Sequence, residues 1–471
     1  MKKDADFRTF LPTLDNPRIA AMHGSNVHEH GEHGLAIPFV QDLLFKPWEM
    51  LYQQPFVGVT TEGKQIPGLF ALDPNGAPTE AMSAAATRLL AEVSAEERAA
   101  LVLPVDAREW RRWNNTEMYV YKYGLRLDEM RLPLRDAILA LVRESLSAKG
   151  YDKARDVMRL NHFLGELAFN TSVLGEWSYN FTLFGAPSLT EPWGWQLTGH
   201  HLNLNCLVIR HQMVLSPAFM GAEPNYADSG PFAGTRLFQD EENGGLELMR
   251  ALSQAQSDKA VLFKATTGGD MPPERRHRAD QLHLGGAFQD NRVIPCEGVD
   301  VADFSKLQRR KLLELVGAYI EPLPAGPQQA RIEEVERHLE DTHFCWIGGT
   351  GEDDTFYYRI QSPVVMIEFD HHSGAFLTNP LPAKFHIHTI VRTPNGNDYG
   401  MDLLRQHYAQ DHHRDSQPGK SGAPIGHTRG HTHDGYTHHH HEHGDHGHSH
   451  GHGHDHGHGR DHHHHHDHKH D

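Results

Sequence analysis

Two histidines separated by one residue, His386 and His388, are the first candidates for chemistry in this sequence. Their neighbours Phe385 and Ile387 are apolar, which is typical of a β-strand. Successive side chains of a strand point to opposite faces, so both imidazoles would lie on the same face. Two convergent imidazoles suit a first-row transition metal, and the spacing therefore predicts a metal site on this strand.

A second histidine pair, His200 and His201, precedes a segment in which leucine alternates with asparagine. On a strand, adjacent residues point to opposite faces, so one member of the pair would face the metal. The alternation does not determine which of the two histidines this is.

Glu368 lies among five apolar residues in the segment Val364-Val365-Met366-Ile367-Glu368-Phe369. A buried carboxylate is costly unless it is paired with a cation or bound to a metal. We therefore predict that Glu368, His386, His388 and one of His200 or His201 hold one divalent ion, which could be Zn, Fe, Cu or Ni. The alternative is a strand with one face in solvent, where Glu368 is simply hydrated.

The types of ligand indicate which metal would bind. Two histidines with one carboxylate favour non-haem iron, whereas three or four histidines favour Zn or Cu.

Glu368 and Arg392 are the candidate catalytic residues, since Arg392 follows the His-x-His segment and could hold an anionic substrate. The alternative for Arg392 is a structural salt bridge.

The C-terminal tail has a different kind of histidine pattern. Of the 41 histidines, 22 lie in residues 427–471, where they alternate with Gly, Asp and Ser. Such a segment cannot bury apolar surface, so we expect it to be disordered and to bind Zn, Ni or Cu without strong selectivity. The densest histidines of the tail are His438, His439, His440, His441, His462, His463, His464, His465 and His466.

The elements that position these residues can be predicted from apolar spacing. Helical periodicity begins at Thr79, and the pattern changes to strands from Trp177 onward. Strand groups and helix groups are segregated, which predicts an α+β fold with a large, mostly antiparallel sheet. The predicted organisation is a flexible arm at 1–34, one globular domain at 35–412, a linker at 413–426 and the disordered tail at 427–471.

Composition excludes several classes of function. The formal net charge of −18 argues against a nucleic-acid partner, which requires a basic surface. No stretch reaches the roughly 18 apolar residues of a membrane span. Residues 1–20 have scattered charges and no apolar h-region, so we expect no secretory signal. Three widely spaced cysteines cannot form a disulfide framework. We therefore expect a cytoplasmic protein with no membrane or nucleic-acid partner and leave its oligomeric state open.

Several motifs of the body resemble one family. They are Trp110-Arg111-x-Trp113-x-Asn115, Glu191-Pro192-Trp193-Gly194-Trp195, Gly199-His200-His201-Leu202, Gly221-Ala222-Glu223-Pro224, Ile367-Glu368-Phe369, His386-Ile387-His388-x-x-x-Arg392 and Asn397-Asp398-Tyr399-Gly400. Together they resemble the family called domain of unknown function 3500, over roughly residues 47–410. The resemblance implies that this region is one unit and that the histidine tail lies outside it. It implies no activity.

Two functions are compatible with these patterns. In the first, the body is a metal-dependent enzyme acting on a small polar substrate, with an oxidoreductase favoured over a hydrolase, and the tail supplies metal to the site. In the second, the protein is a metal store or metallochaperone, and the body is a scaffold or docking module.

Overall fold

Aromatic and aliphatic residues dominate the strands, and a computed structural model, which describes residues 6–415, assembles twelve strands into one sheet. The strands are β1 (Val102–Leu103), β2 (Leu125–Arg126), β3 (Tyr179–Phe184), β4 (Trp193–Gly199), β5 (Leu202–Ile209), β6 (Gln212–Ala222), β7 (Val261–Phe263), β8 (Val299–Asp300), β9 (His343–Gly348), β10 (Phe356–Gln361), β11 (Met366–His371) and β12 (Ile387–Arg392).

The sheet consists of two antiparallel groups, β3 to β6 and β9 to β12, joined where β6 pairs with β12. The order across the sheet is β1-β3-β4-β5-β6-β12-β11-β10-β9-β7, with β2 beside β3 and β8 beside β9. Within the described residues, only the β1–β3 and β7–β9 pairs are parallel. The predicted α+β class with a large, mostly antiparallel sheet is confirmed.

The helices lie before, between and after the two groups of strands along the chain. They are α1 (Pro17–Met22), α2 (Val27–Ala36), α3 (Pro38–Val40), α4 (Lys46–Gln53), α5 (Thr79–Glu92), α6 (Ala95–Leu101), α7 (Leu132–Ser145), α8 (Ala148–Leu167), α9 (Gln239–Arg250), α10 (Gln254–Ala260), α11 (Lys306–Ile320), α12 (Ala325–Arg337) and α13 (Met401–Asp415).

One face of the sheet is apolar and forms the main core. Helices α5, α7, α8, α9 and α11 contribute buried residues to this core. The sheet residues Phe181, Trp195, Leu204, Ile367 and Phe369 lie on the same side and are buried. Because full burial of one such side chain contributes about 1.5–3 kcal/mol, this face is the main source of stability.

The opposite face of the sheet is polar, yet it is also covered. The strand registers place Asn180, Gln196, Asn203, Tyr357, Arg359, Glu368, Asp370, His388 and Arg392 on this face, and all of them are buried. Helix α4, the short helix Arg108–Arg111, residues 287–288 and the start of α13 supply an apolar cover above them. Burial of so many polar groups is costly unless each has a partner, which marks this face as the place to seek a site.

The N-terminal segment is helical rather than the flexible arm that its Gly and His content suggested. Asn26 and Glu29 form a capping box that begins α2, and Phe7 is fully buried. Gly31 and Gly34 of α2 face the backbone of Tyr119 and the side chain of Met118, where a Cβ atom would clash. The glycines therefore permit close packing here, and composition alone misled the prediction.

The C-terminal helix α13 continues to Asp415, past the predicted domain end at residue 412. The predicted tail, residues 427–471, lies outside the described residues. Among the helices of residues 6–415, none is both long enough and apolar enough to cross a membrane.

Candidate metal centre

Three histidines from distant parts of the chain meet at the edge of the polar face. His201 lies in the turn between β4 and β5, His386 directly precedes β12, and His388 lies within β12. One ring nitrogen from each lies within 4.8 Å of the others, a group that could hold a metal ion. We call His201, His386 and His388 the histidine triad.

The Nε2 atom of His388 lies unusually close to two other ring nitrogens. Nε2 of His388 lies 3.1 Å from Nε2 of His201 and 3.1 Å from Nε2 of His386. A neutral imidazole nitrogen has either one proton or one lone pair, so His388 Nε2 can satisfy only one of these contacts as a hydrogen bond. Nitrogens around one tetrahedral Zn²⁺ would be about 3.3 Å apart, which is close to the two distances from His388.

The protonation of His386 is determined by its hydrogen-bond partner. Its Nδ1 lies 2.8 Å from the carbonyl oxygen of Ser373, which can only accept. Nδ1 therefore carries the proton, and Nε2 presents a lone pair to the centre of the triad. A backbone carbonyl on the other ring nitrogen is the usual support of a metal-binding histidine.

His201 is oriented by its backbone. It has a positive φ of 63° in the turn, and its amide donates to Oδ1 of Asn115 over 2.9 Å. Gly221 of β6 lies opposite His388, and a Cβ atom at this position would lie 2.9 Å from Cδ2 of His388 and 3.0 Å from Cδ2 of His201. The glycine therefore makes the room in which the two imidazoles converge.

Burial keeps the triad neutral. It is the largest cause that lowers the pKa of His201, His386 and His388, and the neighbouring histidines lower the pKa of His201 and His388 further. Neutral imidazoles are the form that binds metal, so the triad is ready for a cation at neutral pH.

His200 does not join the triad. Its Nδ1 bonds to Oδ1 of Asn161 over 2.8 Å, and its ring stacks on His201 with centroids 3.8 Å apart. Burial lowers the pKa of His200 to about 4. Of the two candidates that the sequence left open, the structure thus brings His201 to the triad, and His200 supports its ring from behind.

Glu368 lies outside the triad, contrary to its prediction as a ligand. Its Oε1 accepts from the amide of Leu284 and from the Tyr357 hydroxyl, and its Oε2 accepts from the amide of Gly285, at 2.7–2.8 Å. Burial alone would raise the pKa of Glu368, but the charges of His283 and Arg359 and these hydrogen bonds lower it. The carboxylate therefore fixes a loop to β11.

Arg392, predicted as a catalytic residue, is instead surrounded by carbonyl and carboxylate groups that hold its side chain in place. It is fully buried and donates to the carbonyls of Gly285 and Gly286 and to the carboxylates of Asp290 and Asp398. It lies four residues beyond His388, about 13 Å along an extended strand. The salt bridge that was the alternative for Arg392 is thus present.

Three further residues, which the sequence patterns did not indicate as ligands, lie around the triad. Asp370 lies directly opposite His388 on β11, the ring of His372 lies 3.7 Å from that of His388, and the ring of His283 lies 6.2 Å from it. Oδ1 of Asp370 and Nε2 of His283 are buried without a hydrogen-bond partner, and Nε2 of His372 lies 3.1 Å from Oδ2 of Asp370. Alternation along β11 could have placed Asp370 beside Glu368, but His283 lies in an irregular loop that has no periodicity.

Burial raises the pKa of Asp370 to about 7, although His283 and the amide of Leu282 oppose the shift. A carboxyl group beside the triad that can hold or release a proton near neutral pH is the kind of group that acid–base chemistry uses.

A small cleft of about 40 Å³ reaches His200, the support of the triad. Its lining is mainly polar and aromatic, and it includes Glu117, Tyr119, Asn180, Thr198 and His200. A space of this volume holds a few water molecules rather than an organic ligand.

The tail histidines His438 to His441 and His462 to His466 lie outside the described residues, so their predicted metal binding stays a prediction.

A family model described as "Protein of unknown function (DUF3500)" matches residues 75–401. The chain belongs to this family. The DUF3500 region contains all twelve strands and the whole histidine triad, whereas α1 to α4 and the tail lie outside it. The resemblance seen in the sequence is thereby confirmed. Comparison with curated proteins finds no match, and comparison with solved structures finds none either.

Proposed function

We propose that this protein is a metal-dependent enzyme whose ion is held by His201, His386 and His388. The proposal rests on Nε2 of His388, which lies 3.1 Å from the Nε2 atoms of both His201 and His386, two contacts that one proton cannot satisfy. The outward Nδ1–H of His386 and the space left by Gly221 support the same assignment.

The ligand set bears on the reaction. Three protein ligands leave coordination positions open, and a bound divalent ion there supplies Lewis-acid or redox chemistry. With Glu368 outside the set, an all-histidine site favours Zn or Cu over Fe. Copper would correspond to the oxidoreductase that we favour, and zinc to a hydrolase. The identity of the ion therefore separates the two reaction classes.

The substrate in this proposal is a small polar molecule. What supports it is the polar lining of the cleft beside His200, which consists of amide, hydroxyl, carboxylate and phenol groups. Within this proposal, Asp370 is the group placed to hold or release a proton beside the ion, since it lies opposite His388 on the neighbouring strand.

The second candidate is a metal store or metallochaperone. The observation that favours it is the 22 histidines of residues 427–471, far more than one catalytic ion would need. In that case the body would be a scaffold or docking module, and the triad would be one more storage site.

The test compares the full chain with a chain truncated after Ile425, each dialysed against metal-free buffer. We expect the truncated chain to keep one tightly bound ion, and His386→Ala to lose it. His211→Ala changes an exposed histidine at the opposite end of strand β5 from His201 and is the matched control.

If the truncated chain keeps no stoichiometric ion, the enzyme proposal loses its basis and the storage candidate remains. If His386→Ala retains the ion as well as His211→Ala does, the triad is wrongly assigned.

A further inference from the structure

A long loop covers the polar face next to the triad. Residues 264–298 connect β7 to β8, and their only regular element is the short helix Pro273–Arg275. The loop is attached by amides: Leu282 donates to Asp370, while Leu284 and Gly285 donate to Glu368. Loops of this length in a folded domain are uncommon and are usually functional.

Arg275 of this loop has one side of its guanidinium group unpaired. Its Nη1 donates to the carbonyl oxygen of Leu282 over 2.8 Å, and the group lies 5.1 Å from the centre of the Tyr357 ring. Its Nε and Nη2 are buried and make no hydrogen bond within 3.5 Å, and the polar side chain that interacts with the group is Tyr357. Buried charged donors without an acceptor are costly, so an acceptor is expected at this place.

The unpaired atoms are the two that bind a carboxylate side-on. Nε and Nη2 point to the same edge of the guanidinium plane and donate in parallel to the two oxygens of a carboxylate. The same chain uses this edge twice. Arg8 binds Asp228 through Nε and Nη2 at 2.9 and 2.6 Å, and Arg126 binds Asp128 through the same atoms at 2.9 and 2.6 Å.

Arg275 and its neighbour Arg276 are each connected to the triad by a short path. On the first path, Leu282 accepts from Nη1 of Arg275 and donates to Asp370, which lies opposite His388. On the other, Nη2 of Arg276 donates to Gln281, which donates to Ser373. The carbonyl of Ser373 in turn accepts from the triad residue His386. Nε of Arg276 is also buried and unpaired.

We propose that Arg275, assisted by Arg276, binds the carboxylate group of the substrate beside the histidine triad, so that the enzyme acts on a small carboxylic acid. This inference rests on the proposed function for its substrate, since it makes the metal-dependent reaction one on an anionic molecule. The carboxylate would complete the hydrogen bonding of the Arg275 edge, as Asp228 does for Arg8.

The test measures the thermal unfolding midpoint of the full chain with acetate, acetamide and inorganic phosphate, at constant ionic strength and with the metal content of each sample determined. A ligand that binds only the folded chain raises the midpoint. Arg275→Ala removes the donors, and Arg275→Lys keeps the charge without the paired edge. Arg278→Ala is the matched control, because Arg278 is an exposed arginine of the same loop.

We expect acetate, but not acetamide, to raise the midpoint of the wild type and of Arg278→Ala, with about tenfold or greater loss of affinity in Arg275→Ala and Arg275→Lys. An equal response of Arg275→Lys and wild type overturns the proposal, as does binding of phosphate in preference to acetate. Acetate binding that requires Arg275 in samples without triad metal would refute the metal-dependent function and leave the carboxylate site standing. Metal retention without an acetate response refutes the carboxylate site alone.

Discussion

Nε2 of His388 is the atom on which the site depends, because it faces two other imidazole nitrogens at hydrogen-bond distance. The one-residue spacing of His386 and His388 was sufficient to predict their shared face. The choice between His200 and His201 was not predictable, since a positive φ at His201 turns the chain between β4 and β5 and interrupts strand alternation. Residue patterns thus indicated His386 and His388 and left the third member open between His200 and His201.

Gly221→Ala tests whether the space between the imidazoles is needed. The added Cβ would lie within 3.0 Å of both His201 and His388, so the rings must separate. We expect metal affinity to fall about 10–100-fold and the free energy of unfolding to fall by about 1–3 kcal/mol. Metal competition titration and urea unfolding of the truncated chain measure the two effects.

The control for this substitution is Gly317→Ala in α11, where a Cβ atom would meet nothing within 4 Å. It should leave metal affinity unchanged and raise stability by up to about 1 kcal/mol, as alanine does in a helix. An unchanged affinity in Gly221→Ala would show that the two rings need not converge.

At the scale of elements, the strands were predictable and the loop above them was not. The strand predicted around His386 and His388 corresponds to β12 (Ile387–Arg392), which begins one residue after His386. Residues 264–298 have no apolar period, so neither their path over the polar face nor the position of His283 could be inferred. The hydrogen bonds that Glu368 accepts from Leu284 and Gly285 of this loop explain why its carboxylate lies outside the triad.

Glu368→Gln tests the structural role of that carboxylate. An amide can replace one oxygen, but its NH₂ group then faces the N–H of Leu284 or Gly285. We expect a loss of about 1–3 kcal/mol of stability and faster proteolysis within the loop. The single bound ion of the truncated chain should remain.

Glu352→Gln, at a side chain that is 84% exposed, provides the control and should change neither property. Loss of the ion in Glu368→Gln, with stability unchanged, would return Glu368 to the set of ligands.

At the scale of the whole molecule, the chain has two groups of histidine, the buried triad and the 22 histidines of residues 427–471, which lie outside the described residues. The triad lies under a covered polar face, and burial lowers its pKa values. The tail, from its composition, is expected to keep ordinary histidine pKa values near 6.5. Composition predicted the second group, whereas the first depends on contacts between β4–β5, β6 and β12 that are far apart in sequence.

This difference predicts two steps of metal release from the full chain as the pH falls. Protons compete with metal only below the pKa of each imidazole, so the tail should release its ions near pH 6. The triad has lowered pKa values and should keep one ion to lower pH. Metal content measured after dialysis at a series of pH values checks this, and release of all ions in one step near pH 6 would contradict it.

The most direct measurement is anomalous diffraction from crystals of the metal-loaded chain truncated after Ile425, with data recorded on both sides of the absorption edges of Zn and Cu. The account predicts one peak about 2.0–2.1 Å from Nε2 of each triad histidine. A structure with no peak there, and with the three nitrogens still in contact, would contradict the metal centre.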